Sequence, residues 1–306
     1  MNFTVSILGS GAALPTQIRM PSSQYINCNN RHFLIDCAEG TQVQLRKYKI
    51  HFQKISRIFI SHLHGDHYFG LVGLLSSLNL LGREKEIHIH GPVELEEILM
   101  KQLHFGGSKL SYTLHFHALC FKEKEKIFED DVLEVYSFPL KHKIPTCGFL
   151  IQEKPKLLKL DPIQLKKKNI LVEQYKDLQN GKDIKLENGE ICRYQEVTKP
   201  PRPPMSYAYC SDTKKDLRIA DFIKGSTVLY HEATFLKKEK SRAKSTMHST
   251  TIDAAEIALL SDVKSLYVGH LSSRYTSDEE HLKELQEVFE NSHVAYDGLI
   301  LDLFKE

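Results

Sequence analysis

The stretch SHLHGDHYFG, Ser61–Gly70, places four metal-ligand side chains within six positions: His62, His64, Asp66 and His67. Imidazole and carboxylate are the donors that borderline cations such as Zn²⁺ select. The preceding KISRIFI, Lys54–Ile60, alternates apolar and polar residues like a half-buried strand, and Leu71, Val72, Leu74, Leu75 and Leu78 then recur at helical spacing. The ligands therefore fall on a tight strand-to-helix turn, with Gly65 free to take a backbone angle that other residues resist. On such a turn His62 and His64 can address one metal while Asp66 and His67 reach a second. A surface loop with Asp66 as a helix cap is the plain alternative, and the density of ligands argues against it. The expectation is a dinuclear metal site.

Outward from this turn, the chain reads as one compact α/β enzyme. Its 306 residues, 41% of them hydrophobic, suffice for a sizeable core, and a net charge of +2 says little about partners. Six cysteines are scattered with no CxxC pair, which suggests neither a disulfide framework nor a thiolate zinc site and fits a reducing compartment. No Lys or Arg precedes the short apolar run of MNFTVSILGSGAALP, so a signal peptide is not expected, and no apolar run has the length of a membrane span. A cytoplasmic location follows as an expectation. Strands are predicted over 3–8, 24–28, 32–36 and 86–90, then around 132–138, 147–152, 206–211, 226–230, 265–268 and 293–297. Helices are predicted over 36–48, from 71 to about 81, over 93–103, and near 252–260 and 278–289. The Gly9-Ser-Gly11 match to a dinucleotide loop is only a turn, because Leu14 stands at the third glycine position.

The HxHxDH string resembles the signature of the metallo-β-lactamase superfamily of metallohydrolases. That resemblance implies a four-layer αβ/βα sandwich and three further ligands. Candidates are His142 in PLKHKIP, Asp212 in YCSDT and His270 in YVGHLSS, each just after a strand pattern. Taken singly, such histidines are more often structural; their joint occurrence in order is the stronger signal.

Between the third and fourth ligand regions, residues 152–204 carry twelve Lys and Arg against eight Asp and Glu, a net of +4 where the whole chain has +2. A solvated surface excursion explains such charge about as well as a function does. Beside a dinuclear site, however, an inserted basic arm suits a polyanionic substrate, since each lysine–phosphate contact releases counterions. LGSGAALPT near the start, DCAEGTQ at Asp36–Gln42, HGP at His90–Pro92, HEAT from His231 and HST from His248 narrow the resemblance to the ribonuclease Z family, over essentially the whole chain. The resemblance implies a zinc-dependent endoribonuclease that removes the 3′ trailer of precursor tRNA. Its products would be a tRNA 3′-hydroxyl and a trailer 5′-phosphate. It further implies two Zn²⁺ per chain held by His62, His64, Asp66, His67, His142, Asp212 and His270, with Asp212 as the bridge. Residues 1–306 would form a single domain, with 152–204 as a flexible tRNA-gripping arm, in a homodimer. The glycine- and proline-rich arm signature is blurred here, leaving Gly181, Gly189 and the PPRPP run.

For catalysis, Asp66 is a candidate for both ligand and general base, His248 for the acid that protonates the ribose 3′-oxygen, and Glu232 for the group that orients it. His231 reads as a packing residue. His88, His90, His115 and His117 alternate on strand-like segments with no carboxylate expected beside them, and they read as structural. Two rivals keep part of this pattern. A small-molecule hydrolase of the same superfamily needs no basic arm. A non-catalytic RNA-binding protein with a structural metal needs no second ion.

Overall fold

The computed structural model describes residues 2–107 and 109–305. The first part of the chain supplies β1 (Phe3–Gly9), β2 (Ser23–Cys28), β3 (Arg31–Cys37), β4 (Arg57–Phe59), β5 (Ile87–Gly91) and β6 (Leu114–Ala118). The second supplies β7 (Glu125–Glu129), β8 (Leu133–Leu140), β9 (Thr146–Glu153), β10 (Ser206–Cys210), β11 (Val228–Glu232), β12 (Ser265–Gly269) and β13 (Ser292–Val294). A last strand, β14 (Ile300–Asp302), returns to the first sheet. Two seven-stranded sheets result, ordered β14-β1-β2-β3-β4-β5-β6 and β13-β12-β11-β10-β9-β8-β7.

Alternation along the strands divides the buried side chains into three layers. Phe3, Phe33, Phe59, Phe149, Tyr207 and Tyr209 belong to one core cluster drawn from both sheets. Leu34 and Ile58 pack with Leu71, Leu74, Leu75 and Leu78 of α2 (Leu71–Leu80), which follows α1 (Thr41–Lys47), and with Leu95 and Leu99 of α3 (Glu94–Phe105). Ala208, Leu229 and Leu266 pack with Ala254, Ala255 and Ile257 of α4 (Thr251–Leu260) and with Leu285 of α5 (Glu279–Gln286). Helices, sheet, sheet and helices make four layers, the expected αβ/βα sandwich. From β3 to β6 and from β10 to β13 the strands are parallel. Their carboxyl ends therefore gather on one rim, where ligands of layered α/β sheets bind.

Several expectations need correction. Helix α1 begins at Thr41 rather than Asp36, because β3 runs on through a bulge: Gln24 pairs with Ile35 and Ser23 with Cys37, leaving Asp36 as the extra residue at φ +53°. Bulges of this kind re-aim a side chain. Only Arg57–Phe59 of the stretch 54–60 is strand, since Phe52–Lys54 turns as a 3₁₀ helix. The edge strands β7 and β14 were not expected: β7 (EKIFE) is charged and half-exposed, and β14 is only three residues long. All six cysteines are free thiols. Among the described residues, no helix is long and apolar enough to cross a membrane.

Residues Glu153–Pro204 form a second compact unit. Its small core is Leu165, Ile170, Leu178, Ile184, Cys192 and Val197. Asp161 caps the helix Pro162–Lys167 by accepting from the Ile163 and Gln164 amides. Glu153, although buried, is paired with Arg202 at 2.7 Å, and Lys166, Lys167, Lys176, Lys182 and Lys185 are exposed.

Candidate active site

His62 and His64 lie just beyond β4, and Gly65–Tyr68 makes a single helical turn that carries Asp66 and His67. His142 follows β8, Asp212 follows β10, Glu232 ends β11, and His270 follows β12 at φ +55°. All seven expected ligands converge. One group comprises His62, His64, His142 and Asp212, and another Asp66, His67 and His270, with the ligand atoms of each group within 4.8 Å of one another. Asp212 faces both groups with different oxygens. Its Oδ2 lies 3.6 Å from His62 Nε2 and 3.5 Å from His142 Nε2, while its Oδ1 lies 3.2 Å from His67 Nε2 and 3.1 Å from His270 Nε2. Asp66 Oδ2 stands 3.6 Å from His67 Nε2 and 3.5 Å from His270 Nε2, and accepts the Ala13 amide at 2.9 Å.

The donor set fits cations. His67 Nε2 and His270 Nε2 are buried and contact the Asp212 and Asp66 oxygens without forming a well-aligned hydrogen bond, a costly arrangement unless they serve a further ligand. Burial lowers the pKa of His62, His64 and His142, which favours the neutral imidazole that binds metal. At His67 burial also opposes charge, but Asp212, Asp36 and Asp66 overcome it and raise the pKa well above the ordinary value. The field that holds a proton there is one that attracts a metal cation. These clusters form a metal-binding site.

Two buried carboxylates set the rings in place. Asp36 accepts at Oδ2 from His67 Nδ1 (2.7 Å), the Ser61 hydroxyl (2.9 Å) and the Tyr209 hydroxyl (2.7 Å), and at Oδ1 from the Ser61 amide (2.8 Å). Ser61 Oγ in turn accepts from His62 Nδ1 at 3.0 Å, so Asp36 orients one ring of each cluster, one directly and one through a hydroxyl. Glu232 repeats the device. Its Oε2 accepts the Thr234 hydroxyl at 2.6 Å, and that hydroxyl accepts from His270 Nδ1 at 2.9 Å. Its Oε1 accepts His248 Nδ1 at 2.8 Å and the Thr213 amide at 2.6 Å. The Asp36 and Thr234 roles escaped the sequence reading, although the DCAEGTQ and HEAT strings contain both residues. His231 is buried, donates from Nδ1 to the Glu232 carbonyl at 2.7 Å and joins none of the ligand clusters among the described residues.

His248 is held from both sides. Met247 before it adopts the left-handed region at φ +62°, Ser249 donates to the Thr213 carbonyl at 2.6 Å, and Thr250 starts α4 through a reciprocal capping box with Asp253. Burial disfavours a charge on His248, but Glu232 outweighs it and raises the pKa to about 9. A protonated imidazole thus faces a cavity of about 290 Å³ shared with Asp66, Asp212 and His270, whose walls include Lys143, Arg242 and Arg274. Beside His64 opens an apolar cavity of about 520 Å³, lined by Leu63, Pro92, Val93, Phe121 and Ile144.

Paired sheets with this ligand set at their shared rim define a metal-dependent hydrolase of the metallo-β-lactamase fold. Comparison with known proteins narrows the class. Residues 3–188 match the family described as Anti-Pycsar protein Apyc1. A ribonuclease Z of Bacteroides fragilis (strain YCH46) is 43% identical over 303 residues, 98% of this chain and 99% of its own length. One from Porphyromonas gingivalis (strain W83) is 42% identical over 98% of this chain and 99% of its own length. The crystal structure of human tRNase Z, short form, superposes with a TM-score of 0.71 at 25% identity, covering 98% of this chain and 99% of that one. The chain therefore belongs to the Apyc1 family over residues 3–188 and to the ribonuclease Z family over nearly its whole length, including the part that holds Asp212, Glu232, His248 and His270.

Proposed function

We propose that this chain is the endoribonuclease that cuts the 3′ trailer from precursor tRNA, using two Zn²⁺ held by the clusters that meet at Asp212. The observation that carries this is the division of Asp212: one oxygen faces His62 and His142, the other faces His67 and His270. When bound, the ions supply Lewis acidity toward the phosphodiester and lower the pKa of the attacking water. His62, His64, His142 and Asp212 hold one, and Asp66, His67, His270 and Asp212 the other. Asp66 serves as ligand and as general base, with Oδ2 oriented by the Ala13 amide. Lys143, Arg242 and Arg274 draw the phosphate into the cavity. His248 hands its proton to the departing ribose 3′-oxygen, and Glu232 holds the ring at the angle this needs. The products are a tRNA 3′-hydroxyl and a trailer 5′-phosphate. Incubation with a precursor tRNA and mapping of both new ends tests the reading; ends other than these refute it.

The unit Glu153–Pro204 is proposed as the arm that grips the tRNA body, in a cytoplasmic homodimer. Deleting Lys154–Lys199 behind a short flexible linker is expected to leave hydrolysis of bis-nitrophenyl phosphate intact. Precursor tRNA binding should weaken by orders of magnitude, because several phosphate contacts are lost. Unchanged tRNA affinity would show that the lysines are only a solvated face. The same contacts make tRNA cleavage fall steeply with salt, whereas an enzyme evolved for small diesters would show no such slope.

Asp36 acts on the metals without touching them. Asp36→Asn keeps the side-chain shape but weakens the acceptor for His67, Ser61 and Tyr209. A drop in metal affinity of about 10–100-fold is expected, as for other groups that orient a metal-binding histidine. Competition with a chromophoric chelator measures it, and an unchanged affinity would reduce Asp36 to a core residue.

A further inference from the structure

A second group of histidines lies on β5 and β6, and His88 and His115 among them form with Glu86 a group that shares no residue with the clusters at Asp212. β5 and β6 run parallel with His88 opposite His115 and His90 opposite His117. Glu86 precedes His88 by two residues, the interval that returns to the same face of a strand. The expectation that no carboxylate stands beside these histidines is therefore corrected. Glu86 Oε1 is 3.3 Å from His88 Nε2 and Oε2 is 3.0 Å from His115 Nε2, with the ligand atoms of the three residues within 4.8 Å of one another.

We propose that Glu86, His88 and His115 bind a divalent transition-metal ion of the zinc and copper class, at a surface site separate from the catalytic clusters. Two imidazoles and a carboxylate are a donor set such ions prefer. Tetrahedral ligands on bonds of about 2.0–2.1 Å stand roughly 3.3 Å apart, close to the separations found here, so an ion can take the place of the two ring-to-carboxylate contacts. The rings are also prepared for it. His88 Nδ1 is 2.9 Å from His117 Nε2, which leaves His88 Nε2 to face Glu86. His117 stacks on His90 at 4.4 Å, and His90 Nε2 receives Arg57 at 3.2 Å, so the row is anchored from the interior outward. Burial, helped by the Arg57 charge, lowers the pKa of His88 and His117 and keeps them neutral. Glu86 and His115 are open to solvent, with side chains 61% and 40% exposed, leaving room for water to complete the coordination. A bound ion would tie the edge strand β6 to β5.

Equilibrium dialysis against micromolar Zn²⁺ tests this on the full chain, comparing the wild type with His115→Ala and Glu86→Gln. The wild type is expected to hold one more ion per chain than His115→Ala, with bis-nitrophenyl phosphate hydrolysis alike in both. Glu86→Gln, nearly isosteric and exposed, should shift the isotherm of that extra ion to at least tenfold higher Zn²⁺ without altering the fold. Equal ion counts in the wild type and His115→Ala, or an unshifted isotherm in Glu86→Gln, would overturn the site. The comparison is a difference between variants, so it stands whether or not the clusters at Asp212 hold two ions.

Discussion

Asp212→Ala is expected to abolish cleavage of precursor tRNA and to lower the bound metal. Asp212 is buried at the centre of the site and faces four imidazole nitrogens with its two oxygens. In the proposed two-ion arrangement, its removal would take one ligand from each ion at once and the carboxylate that would shield one ion from the other. Lewis-acid stabilisation is worth several kcal/mol, and each 1.4 kcal/mol is a decade in rate, so a loss on the order of a thousandfold or more is expected. Nitrophenyl diesters should suffer as badly, because the defect precedes any choice of leaving group. Metal counting and single-turnover kinetics on the same preparation check it. Two ions and full activity in the variant would remove Asp212 from the metal-holding role.

His248→Ala should behave differently. His248 stacks on His270 with ring centroids 5.4 Å apart and meets His142 at 5.0 Å and a tilted angle; its ligand atom also lies within 4.8 Å of those of Asp212 and His270, but its Nδ1 is committed to Glu232 at 2.8 Å. Both ions should stay, tRNA affinity should hold, and cleavage should slow by about 10²–10⁴-fold, the range for loss of a general acid. Nitrophenolate departs without a proton, so its release should slow little. The sign of the pH dependence follows from the Glu232 contact. The acid works while protonated, so cleavage is sustained below the raised pKa of about 9 and declines as pH rises through it. That alkaline limb should vanish in His248→Ala. An equal loss with both substrates would make His248 a phosphate-positioning residue, and loss of metal would place it among the ligands.

The residues that reach these positions were legible in unequal degree. His62, His64, Asp66 and His67 announce themselves because one turn of backbone brings them together, so their spacing in sequence is their spacing in space. His142, Asp212 and His270 could be placed only as strand-end residues consistent with a known pattern, since their convergence is made by sheet topology. Asp36 opens the DCAEGTQ string, but nothing local to that string indicated what the carboxylate does. Its role depends on a bulge whose only trace is a pairing register, and on Ser61, His67 and Tyr209, which lie 25, 31 and 173 positions away. The Glu86 contact was readable in principle from the period of two, but which strand would lie beside β5, and in what register, was not. β7 and β14 were missed because edge strands need little apolar alternation to pair.

Each cluster draws side chains from both halves of the chain: His62 and His64 with His142 and Asp212, and Asp66 and His67 with His270. A growing polypeptide that has emerged as far as Asp212 still lacks a member of the second cluster, and the histidine set opposite Glu232 comes 36 residues after that aspartate. The final ligand, His270, lies near the C-terminal end of a 306-residue chain. Under the proposed mechanism, a nascent chain that stops before His270 lacks part of a cluster, and such a fragment is expected to leave RNA uncut.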